Sequence, residues 1–560
     1  MRLIECVPNF SEGRRPQVIA AIRDAAASVA GVTVLHLDPG QATNRTVLTM
    51  AGEPEPVIEA AFRAIRTATA LIDMRTHTGE HPRMGATDVC PLVPISGVTL
   101  AEAAGYARQL AERVARELSL SIYLYEAAQP DPARKNLAAI RAGEYEGLAQ
   151  KLSDPKWKPD FGPASFNPES GATVIGARDF LVAFNVNLNT TSTRRANAVA
   201  FDVREQGRPK REGDPVTGKV VTDSAGQPVM IPGTLKAVKA IGWFIAEYGV
   251  AQVSMNLVDL SQTPLHLAFD AVCRSAEARG LRVTGSELVG LVPLSSLLEA
   301  GRFFLRQQQR SVGVSESELI RIAILTMGLD ELAPFNPEER ILEYKMRAAA
   351  SRPLVRLSLE GFINETASES AAPGGGSAAA AIGALGAALG TMVANLSAHK
   401  PGWDARWAEF SDWAERGQLI KAELLRLVDD DTLAFSAVMA ALGLPKTTAA
   451  EKAARKRALD AANRRAIEVP YQVMQTALKS FEILEAMAQH GNPASASDAG
   501  VGALCARAAV RGAWLNVRIN LAGGAAVPGR EEFLSHGAAM VATSEEREQL
   551  VLRIVESKLG

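Results

Sequence analysis

Hydrophobic and polar residues alternate in two different ways along this chain, and the change falls near Ser351. Before that residue, short apolar runs typical of β-strands alternate with amphipathic runs typical of helices. After it the strand signals end, and Ala-rich helical runs follow one another through the rest of the sequence. The pattern predicts a multidomain chain, first α+β and then all-α in the form of a helical bundle.

The α+β region contains the order β-α-β-β-α-β twice, which is the ferredoxin-like or split βαβ arrangement. The predicted elements of the first copy are residues 3–7, 16–29, 32–37, 46–50, 56–72 and 89–95, followed by a helix at 100–118 and a strand at 121–125. Those of the second copy are residues 181–187, 194–204, 240–246, 253–258, 265–278 and 281–291. The Gly-, Pro- and charge-rich stretch 208–233 is predicted to be a protruding hairpin insertion that the fold can lose.

A chain of 560 residues is too long for one core and predicts about three domains. The patterns place two subdomains at residues 1–179 and 180–330, a linker at 331–365 and a helical domain at 366–560. The most apolar helical run, residues 378–393, is shorter than a bilayer span and rich in Ala and Gly, so we interpret it as a buried helix. Gly383, Gly386 and Gly390 leave that helix bare enough for close packing, and we expect an oligomer.

Charge and cysteine content exclude several classes of partner. The 60 Lys and Arg residues nearly balance the 62 Asp and Glu residues, so neither a nucleic acid nor a membrane surface is indicated. Four cysteines, Cys6, Cys90, Cys273 and Cys505, lack paired spacing, and the first residues contain no signal-peptide segment. These features predict a reduced, cytoplasmic setting and leave anionic small molecules open as substrates.

Two of the seven histidines lie close together in residues 77–86, His-Thr-Gly-Glu-His-Pro-Arg-Met-Gly-Ala. An imidazole exchanges protons near neutral pH, so this segment is a candidate acid/base site. Its HxxEH pattern also occurs in inverted zincin metalloproteases, which need a continuous helix to present both histidines to zinc. Gly79 and Pro82 oppose such a helix. We therefore favour a loop with an acid/base histidine, and two loop histidines without a special role are the plain alternative.

Two Gly- and Pro-rich segments are candidate binding loops. Residues 160–172 contain two Phe, which favours an ordered binding loop over a linker. Residues 373–377, Pro-Gly-Gly-Gly-Ser, lead into a predicted helix N-terminus, where free N–H groups and the helix dipole suit an anion. The same composition fits a mobile linker with Ser377 as the N-cap, and composition alone leaves both interpretations open.

The helical half contains two unusual polar features. Because successive helical residues point about 100° apart, Asp429, Asp430 and Asp431 cannot all face solvent on one stripe. A carboxyl turned inward has a raised pKa and can donate a proton, whereas a solvated acidic face is the plain alternative. Asn516 and Asn520 lie one helical turn apart on an otherwise apolar helix, either as internal hydrogen-bonding groups or as the wall of a polar pocket.

Four motifs in register along nearly the whole chain resemble those of the formiminotransferase-cyclodeaminase family. They are ECVPNFSEG at 5–13, GEHPRMGA around His81, DFGP at 160–163 and PGGGS at 373–377. The resemblance implies a bifunctional folate enzyme of histidine degradation. Two ferredoxin-like subdomains would transfer the formimino group of N-formimino-L-glutamate to N5 of tetrahydrofolate. The helical domain would then form 5,10-methenyltetrahydrofolate and release ammonia, or, as the alternative, serve only as an oligomerisation scaffold.

The resemblance also implies site residues. His81 corresponds to the catalytic acid/base of the transferase, and Asp431 to the proton donor of the cyclodeaminase. The family's folate-binding segment corresponds to Gly162, Pro163, Ala164, Ser165, Phe166, Asn167, Pro168, Glu169, Ser170 and Gly171. Further candidate substrate contacts are Asp38, Asn44, Arg45, Arg83, Gly374, Gly375 and Gly376, of which the arginines and the glycine turn suit the carboxylates of both substrates. We expect tetrahydrofolate, also in polyglutamylated form, as co-substrate, no metal, and a homo-oligomer held through the helical domain.

Overall fold

In the computed structural model of the chain, the described residues are 2–41, 44–79, 82–213, 218–246, 248–349, 354–370, 372–522 and 528–559. The chain divides into two compact units. The first unit comprises Met1–Ser296 and Met327–Ala350, and the second comprises Leu297–Thr326 and Ser351–Gly560. The predicted order, a sheet-rich region followed by a helical region, is confirmed.

The described part of the first unit begins with a seven-stranded sheet. Its strands are β1 (Leu3–Cys6), β2 (Asn9–Phe10), β3 (Val32–Gly40), β4 (Arg45–Gly52), β5 (Thr87–Ser96), β6 (Ser121–Glu126) and β7 (Ala172–Ala177). From one edge, β3 pairs with β4, and β4 pairs with both β1 and β2. Both of these short strands pair with β5 on their other side, and β7 and β6 follow β5. Strands β5, β7 and β6 are parallel, and the other neighbours are antiparallel.

Helices cover both faces of this sheet. Those of the first part of the unit are α1 (Pro16–Ala27), α2 (Pro54–Leu71), α3 (Leu100–Leu118), α4 (Leu137–Arg141) and α5 (Leu148–Ser153). Ile4 and Cys6 of β1 belong to the buried cluster that includes residues of α1, α2 and α3. Because side chains alternate along a strand, Glu5 points to the opposite face. On that opposite face, residues of α4 and α5 pack on Val89, Tyr123 and Val174.

Strand β7 and helices α4 and α5 are not among the predicted elements, because residues 127–179 show little periodicity. All six residues of β7, Ala-Thr-Val-Ile-Gly-Ala, are buried. A central strand that is covered on both faces has no alternation of polar and apolar residues to mark it. The sequence therefore does not predict β7, which lies between β5 and β6.

A second sheet follows in the same unit. Its part of the chain contains β8 (Val182–Leu188), α6 (Thr193–Val203), β9 (Arg208–Pro209), β10 (Arg211–Glu212), β11 (Lys219–Val220), β12 (Met230–Ile231), β13 (Val238–Ile245), β14 (Val250–Leu257), α7 (Leu265–Glu277) and β15 (Val283–Val289). The sheet has the antiparallel order β13-β14-β8-β15. Strand β9 pairs with β12 and β10 with β11, so a hairpin forms in the predicted insertion.

The predicted linker, 331–365, contains helices over much of its described part. From residue 294 onward the chain forms α8 (Leu294–Gln307), α9 (Glu316–Met327), α10 (Pro337–Arg340), α11 (Leu342–Ala349) and α12 (Leu359–Thr366). Asn336 caps α10 by accepting a hydrogen bond from the Glu338 N–H. Leu342 is buried with Leu35 and Ala51 of the first sheet. A buried apolar side chain therefore holds this part of the predicted linker against the first sheet.

Long helices form the bundle of the second unit: α13 (Gly375–Ala398), α14 (Trp407–Leu442), α15 (Ala449–His490), α16 (Ala496–Ala522) and α17 (Arg530–Leu559). The sequence predicts two helices where α15 is one, because Pro470 lies inside it. Pro470 removes one helical hydrogen bond, but its burial in the bundle holds the chain on its helical path.

Helix α13 packs closely through its glycines, as predicted. A Cβ added to Gly386 would lie 2.8 Å from the Gly502 carbonyl oxygen, and one added to Gly383 would lie 3.0 Å from the Ala509 Cβ, both on α16. By length and composition alone α13 could cross a membrane, yet 61% of its most apolar window is buried inside the protein. This burial fits the interpretation of α13 as a core helix.

Candidate active sites

The predicted acid/base segment is a loop between α2 and β5. Glu80 and His81 lie outside the described residues, so the structure bears on their neighbours only. Residues 77–79 are not helical, and this removes the continuous helix that a zincin site needs. His77 Nε2 lies 2.9 Å from the Asn44 carbonyl oxygen, and Arg83 Nε lies 3.2 Å from His77 Nδ1. Both ring nitrogens of His77 are therefore bonded within the protein.

These contacts fix the proton on His77. A guanidinium only donates, so Nδ1 is the acceptor and Nε2–H donates to Asn44. The ring is then neutral, and burial, its largest influence, lowers the pKa of His77 below its usual value. His77 thus acts as a fixed support of the loop, four residues before His81 in the sequence.

Asn44 joins three parts of the loop region. Its Oδ1 accepts from the Gly13 N–H at 2.9 Å, its Nδ2 donates to the Thr78 carbonyl at 2.9 Å, and its backbone φ is +46°. Asn tolerates this left-handed conformation better than most residues. Asn44 therefore braces the segment that precedes His81, with both ends of its side-chain amide already bonded within the protein.

Arg83 does not present a free guanidinium. Its two terminal nitrogens lie 2.9 and 2.7 Å from the Glu146 carboxylate oxygens, and Nη1 lies 3.3 Å from Glu144. The bidentate Glu146 contact raises the pKa of Arg83, and the same bond lowers the pKa of Glu146. Protein carboxylates thus already pair with the Arg83 guanidinium, and its contact with a substrate carboxylate stays a prediction.

Arg45 keeps unused hydrogen-bonding capacity. Its Nε is buried and has no hydrogen-bond partner in the part of the chain that the structure describes. Burial is the largest influence on its pKa and lowers it, while Asp88 and Asp38 oppose that shift. The exposed Asp38 pairs in register with Val47 of β4, two residues from Arg45. Asp38 and Arg45 therefore lie together at one end of the sheet.

The segment 162–171 lies against the end of the acid/base loop. Ala86 N donates to the Ser170 carbonyl at 2.8 Å, and Ala172 N donates to the Met84 carbonyl at 3.1 Å. A Cβ on Gly171, whose φ is +66°, would lie 2.2 Å from the Met84 oxygen. A Cβ on Gly85 would lie 2.4 Å from the Ser170 oxygen. Only glycines permit this approach, so two motifs that are distant in sequence form one surface.

Asn167 and Tyr145 shape the rest of this segment. Asn167 Oδ1 accepts from the N–H groups of Glu169 and Ser170 at 3.0 and 3.1 Å. The Tyr145 ring contacts Phe166 with centroids 5.5 Å apart, and its hydroxyl donates to the Pro168 carbonyl at 2.5 Å. Ala164 and Ser165 remain exposed. The loop is ordered by its own contacts, as the two Phe residues predict, and leaves a tip open to a ligand.

A cavity of about 690 Å³ opens beside the residue that follows His81. Its lining includes Pro82, Tyr125, Arg141, Arg178 and Lys239. Arg141 Nε lies 3.3 Å from the buried Asp88, whose Oδ1 also accepts from the Met84 N–H at 3.0 Å. Sequence reasoning missed Arg141 and Asp88, because their pairing joins β5 to α4, an element that was not predicted.

In the helical unit, the glycine turn meets the aspartate triplet. Ser377 Oγ donates to the Val428 carbonyl and lies 3.0 Å from Asp431 Oδ2, and the Ser377 N–H also bonds Asp431. A Cβ on Gly376 would lie 2.2 Å from Asp431 Oδ1, and one on Gly375 would lie 3.2 Å from Asn516 Nδ2. Gly375, Gly376, Asp431 and Asn516 thus form one cluster, while Gly374 faces open space.

The three aspartates point in three directions, as helical geometry predicts. Asp429 is buried and accepts from the Leu354 N–H at 3.1 Å. Asp430 pairs with Arg426 and Arg465. Burial raises the pKa of Asp431, although the two Ser377 hydrogen bonds oppose the shift. A carboxyl whose pKa is raised by burial suits a proton donor more than a fixed counter-ion.

Comparisons with known proteins extend over both units. Three family descriptions match: formiminotransferase domain, N-terminal subdomain at residues 3–178, formiminotransferase domain at 183–347, and formiminotransferase-cyclodeaminase at 358–525. A formimidoyltransferase-cyclodeaminase from Rattus norvegicus is 44% identical over 521 residues, covering 93% of this chain and 92% of the relative.

Two shorter relatives each match part of the chain. A glutamate formimidoyltransferase from Streptococcus pyogenes is 39% identical over 305 residues, 54% of this chain and 94% of the relative. A methenyltetrahydrofolate cyclohydrolase from Methylorubrum extorquens is 36% identical over 203 residues, 36% of this chain and 98% of the relative. A sheet-rich unit and a helical unit, each with its own polar cluster, define a two-part enzyme. The chain belongs to the formiminotransferase-cyclodeaminase family.

Proposed function

We propose that this enzyme transfers the formimino group of N-formimino-L-glutamate to N5 of tetrahydrofolate and then forms 5,10-methenyltetrahydrofolate with release of ammonia. The observation that carries the proposal is the similarity to a formimidoyltransferase-cyclodeaminase along nearly the full length of both chains. This is a reaction pair of histidine degradation, and tetrahydrofolate enters as co-substrate, with or without further glutamates.

In the first step, N5 attacks the formimino carbon and gives a tetrahedral carbon that bears two amine nitrogens besides the imino nitrogen. The proton from N5 must reach the glutamate nitrogen before the carbon–nitrogen bond breaks and glutamate leaves. We assign this transfer to His81, because an imidazole both takes and gives a proton near neutral pH. The bonded frame of His77, Asn44 and Arg83 supports the segment on either side of His81.

In the second step, N10 attacks the carbon of the 5-formimino group, and the former imino nitrogen leaves as ammonia after protonation. We assign the proton donor to Asp431, which sits in a buried cluster with a raised pKa. Gly374, Gly375 and Gly376 form the turn beside it. The alternative, in which the helical domain serves only as a scaffold, assigns no role to this cluster.

We propose that segment 162–171 binds tetrahydrofolate, since its exposed tip adjoins residues 84–86, and that Asp38 and Arg45 contact a substrate at the nearby strand ends. We propose ferredoxin-like subdomains at 1–179 and 180–330, supported by the strand order β13-β14-β8-β15, and a helical domain at 366–560. The cytoplasm is the proposed location, and no metal is proposed for either step.

We further propose a homo-oligomer joined through the helical domain. Several large apolar side chains of α13 and α16 are exposed: Ile382, Leu385, Met392, Leu396, Val501, Leu504, Leu515 and Ile519. Exposed apolar patches of this extent usually mark a surface that another protein covers. A second copy of the chain carries the same stripes and can cover them symmetrically.

A paired assay tests the proposal. Wild-type enzyme with both substrates should release glutamate and ammonia and produce the absorbance of methenyltetrahydrofolate. His81→Ala should lose glutamate release by at least about 100-fold, the usual contribution of an acid/base group. Asp431→Asn should keep glutamate release and lose ammonia release. Equal ammonia release from wild type and Asp431→Asn would remove Asp431 from the mechanism, and an absence of ammonia from wild type would favour the scaffold alternative.

A further inference from the structure

A second cavity of the first unit is lined by charged side chains. It measures about 490 Å³. Its charged and titratable lining residues are Glu5 from β1, His36 from β3, Arg178 from the connection after β7, Glu339 and Arg340 from α10, and Lys345 from α11. Arg178 also lines the larger cavity beside Pro82. No role has so far been assigned to these residues.

Glu5 is a buried carboxyl without a donor. It is 6% exposed, and no hydrogen bond to its carboxyl is formed by any residue that the structure describes. Burial raises the pKa of Glu5 to about 7, and the positive charge of Arg178 limits the shift. A buried polar group without a partner is costly, so a carboxyl that opens into a cavity is a strong sign of a ligand.

Two guanidinium groups of the same cavity lack a carboxylate. Arg178 donates to the Asp179 carbonyl at 2.9 Å, and neither Arg178 nor Arg340 forms an ion pair with another described residue. Lys345 differs, since its Nζ donates to the Leu35 carbonyl at 2.9 Å. The cavity therefore offers the buried Glu5 carboxyl as a hydrogen-bond acceptor and two cations that prefer carboxylates.

We propose that this cavity binds the glutamyl end of a substrate, an N-substituted glutamate whose two carboxylates pair with Arg178 and Arg340 while its N–H donates to Glu5. The inference rests on the proposed function, in which N-formimino-L-glutamate and tetrahydrofolate are both N-substituted glutamates. Glu5 is then a specificity residue, because an acceptor for the N–H separates such compounds from simple dicarboxylates.

The strand register favours the glutamate of tetrahydrofolate over that of the formimino donor. Glu5 pairs with Val93, which is six residues along β5 from Thr87, where the acid/base loop ends. At about 3.3 Å per residue this is a distance of roughly 20 Å. The pterin, benzoyl and glutamate groups of tetrahydrofolate together can bridge such a distance, and N-formimino-L-glutamate cannot.

Steady-state kinetics of the full-length enzyme test the proposal. Glu5→Gln should raise KM for tetrahydrofolate about tenfold, the effect of replacing a charged hydrogen bond by a neutral one, with kcat within about twofold. KM for N-formimino-L-glutamate should stay unchanged. The matched control is Glu112→Gln, an exposed carboxylate on α3, which should behave as wild type.

A rise in KM for N-formimino-L-glutamate alone would move the cavity to the donor substrate. Unchanged KM values for both substrates would overturn the proposal, and so would a loss of kcat with both KM values unchanged, because Glu5 would then act in the chemistry. Wild-type turnover itself tests the proposed function, so the two failures are distinguishable.

A binding measurement gives a readout that does not depend on turnover. By calorimetry, p-aminobenzoyl-L-glutamate should bind the wild-type enzyme and bind Glu5→Gln and Arg340→Gln about tenfold more weakly. Because the ionised Glu5 accepts the N–H more strongly than the protonated form does, wild-type affinity should fall as the pH drops below about 7, the pKa to which burial raises Glu5. His36→Gln should keep this pH dependence and Glu5→Gln should lose it. Equal binding by all variants would overturn the proposal.

Discussion

Gly171 is the residue that lets the two loops of the transferase site touch. Its φ of +66° and the 2.2 Å separation between an added Cβ and the Met84 oxygen exclude a side chain. Gly249 has a similar φ, +69°, and open space around the same position. The pair separates two effects that are combined at Gly171, the strain of the backbone and the contact that a side chain would make.

We predict that Gly171→Ala destabilises the protein by about 2 kcal/mol more than Gly249→Ala, because the added methyl group forces the two loops apart. Gly249→Ala should cost about 1 kcal/mol, the strain of the left-handed conformation alone. Urea unfolding of the full chain measures both. Gly171→Ala should also raise KM for tetrahydrofolate, and a variant with normal stability and normal KM would contradict the close approach of the loops.

Side chains were harder to predict than backbone. Glu5, a glutamate inside the apolar run of residues 3–7, is a signal of a buried polar site that the sequence alone carries. The partners of Arg83 are different, because Glu144 and Glu146 lie about 60 positions away in a stretch without periodicity. The sequence therefore gives no sign that the Arg83 guanidinium has a partner, although in the fold it is bonded to Glu146. His81, the residue that the resemblance favours, stays a prediction.

At the scale of elements, hydrophobic periodicity predicted the strands and helices that have one exposed face. Strand β13 is predicted at residues 240–246 and forms at Val238–Ile245, and helix α7 is predicted at 265–278 and forms at Leu265–Glu277. Two kinds of element were missed. Strand β7 has no exposed face to create alternation, and α15 continues through a proline that local rules treat as a break.

The close packing of helix α13 on α16 at Gly386 can be tested by substitution. Gly386→Val should destabilise the helical unit by about 1 to 3 kcal/mol, since a side chain there meets the Gly502 carbonyl and the Ala506 nitrogen of α16. Ala453 is an exposed residue of α15 that lies outside the apolar stripes of α13 and α16, so Ala453→Val is the control and should cost less than about 0.7 kcal/mol, the difference in helix propensity. Far-UV circular dichroism during urea unfolding reports both. Equal effects would mean that α13 does not pack on α16 through this face.

At the scale of the whole molecule, the exposed apolar stripes of α13 and α16 need an explanation that one chain does not supply. Ile519 is 69% exposed, Leu385 58% and Leu515 57%, on helices whose other faces are well packed. Because the charges of the chain nearly balance, electrostatic repulsion between copies is weak. Association through these stripes would bury apolar surface, and each Å² buried would stabilise the oligomer by about 25 cal/mol.

We predict that Leu385→Glu with Ile519→Glu converts the oligomer into smaller species, because two carboxylates on each copy would meet at the contact and lose their water. Light scattering after gel filtration should show the lower mass at a concentration where the wild type stays assembled. The exposed pair Glu531→Gln with Glu556→Gln on α17 is the control and should leave the mass unchanged. Both positions of the test pair are exposed in a single chain, so circular dichroism should show an intact fold. An unchanged mass would refute association through these helices, and glutamate release by the smaller species would show whether transfer needs the oligomer.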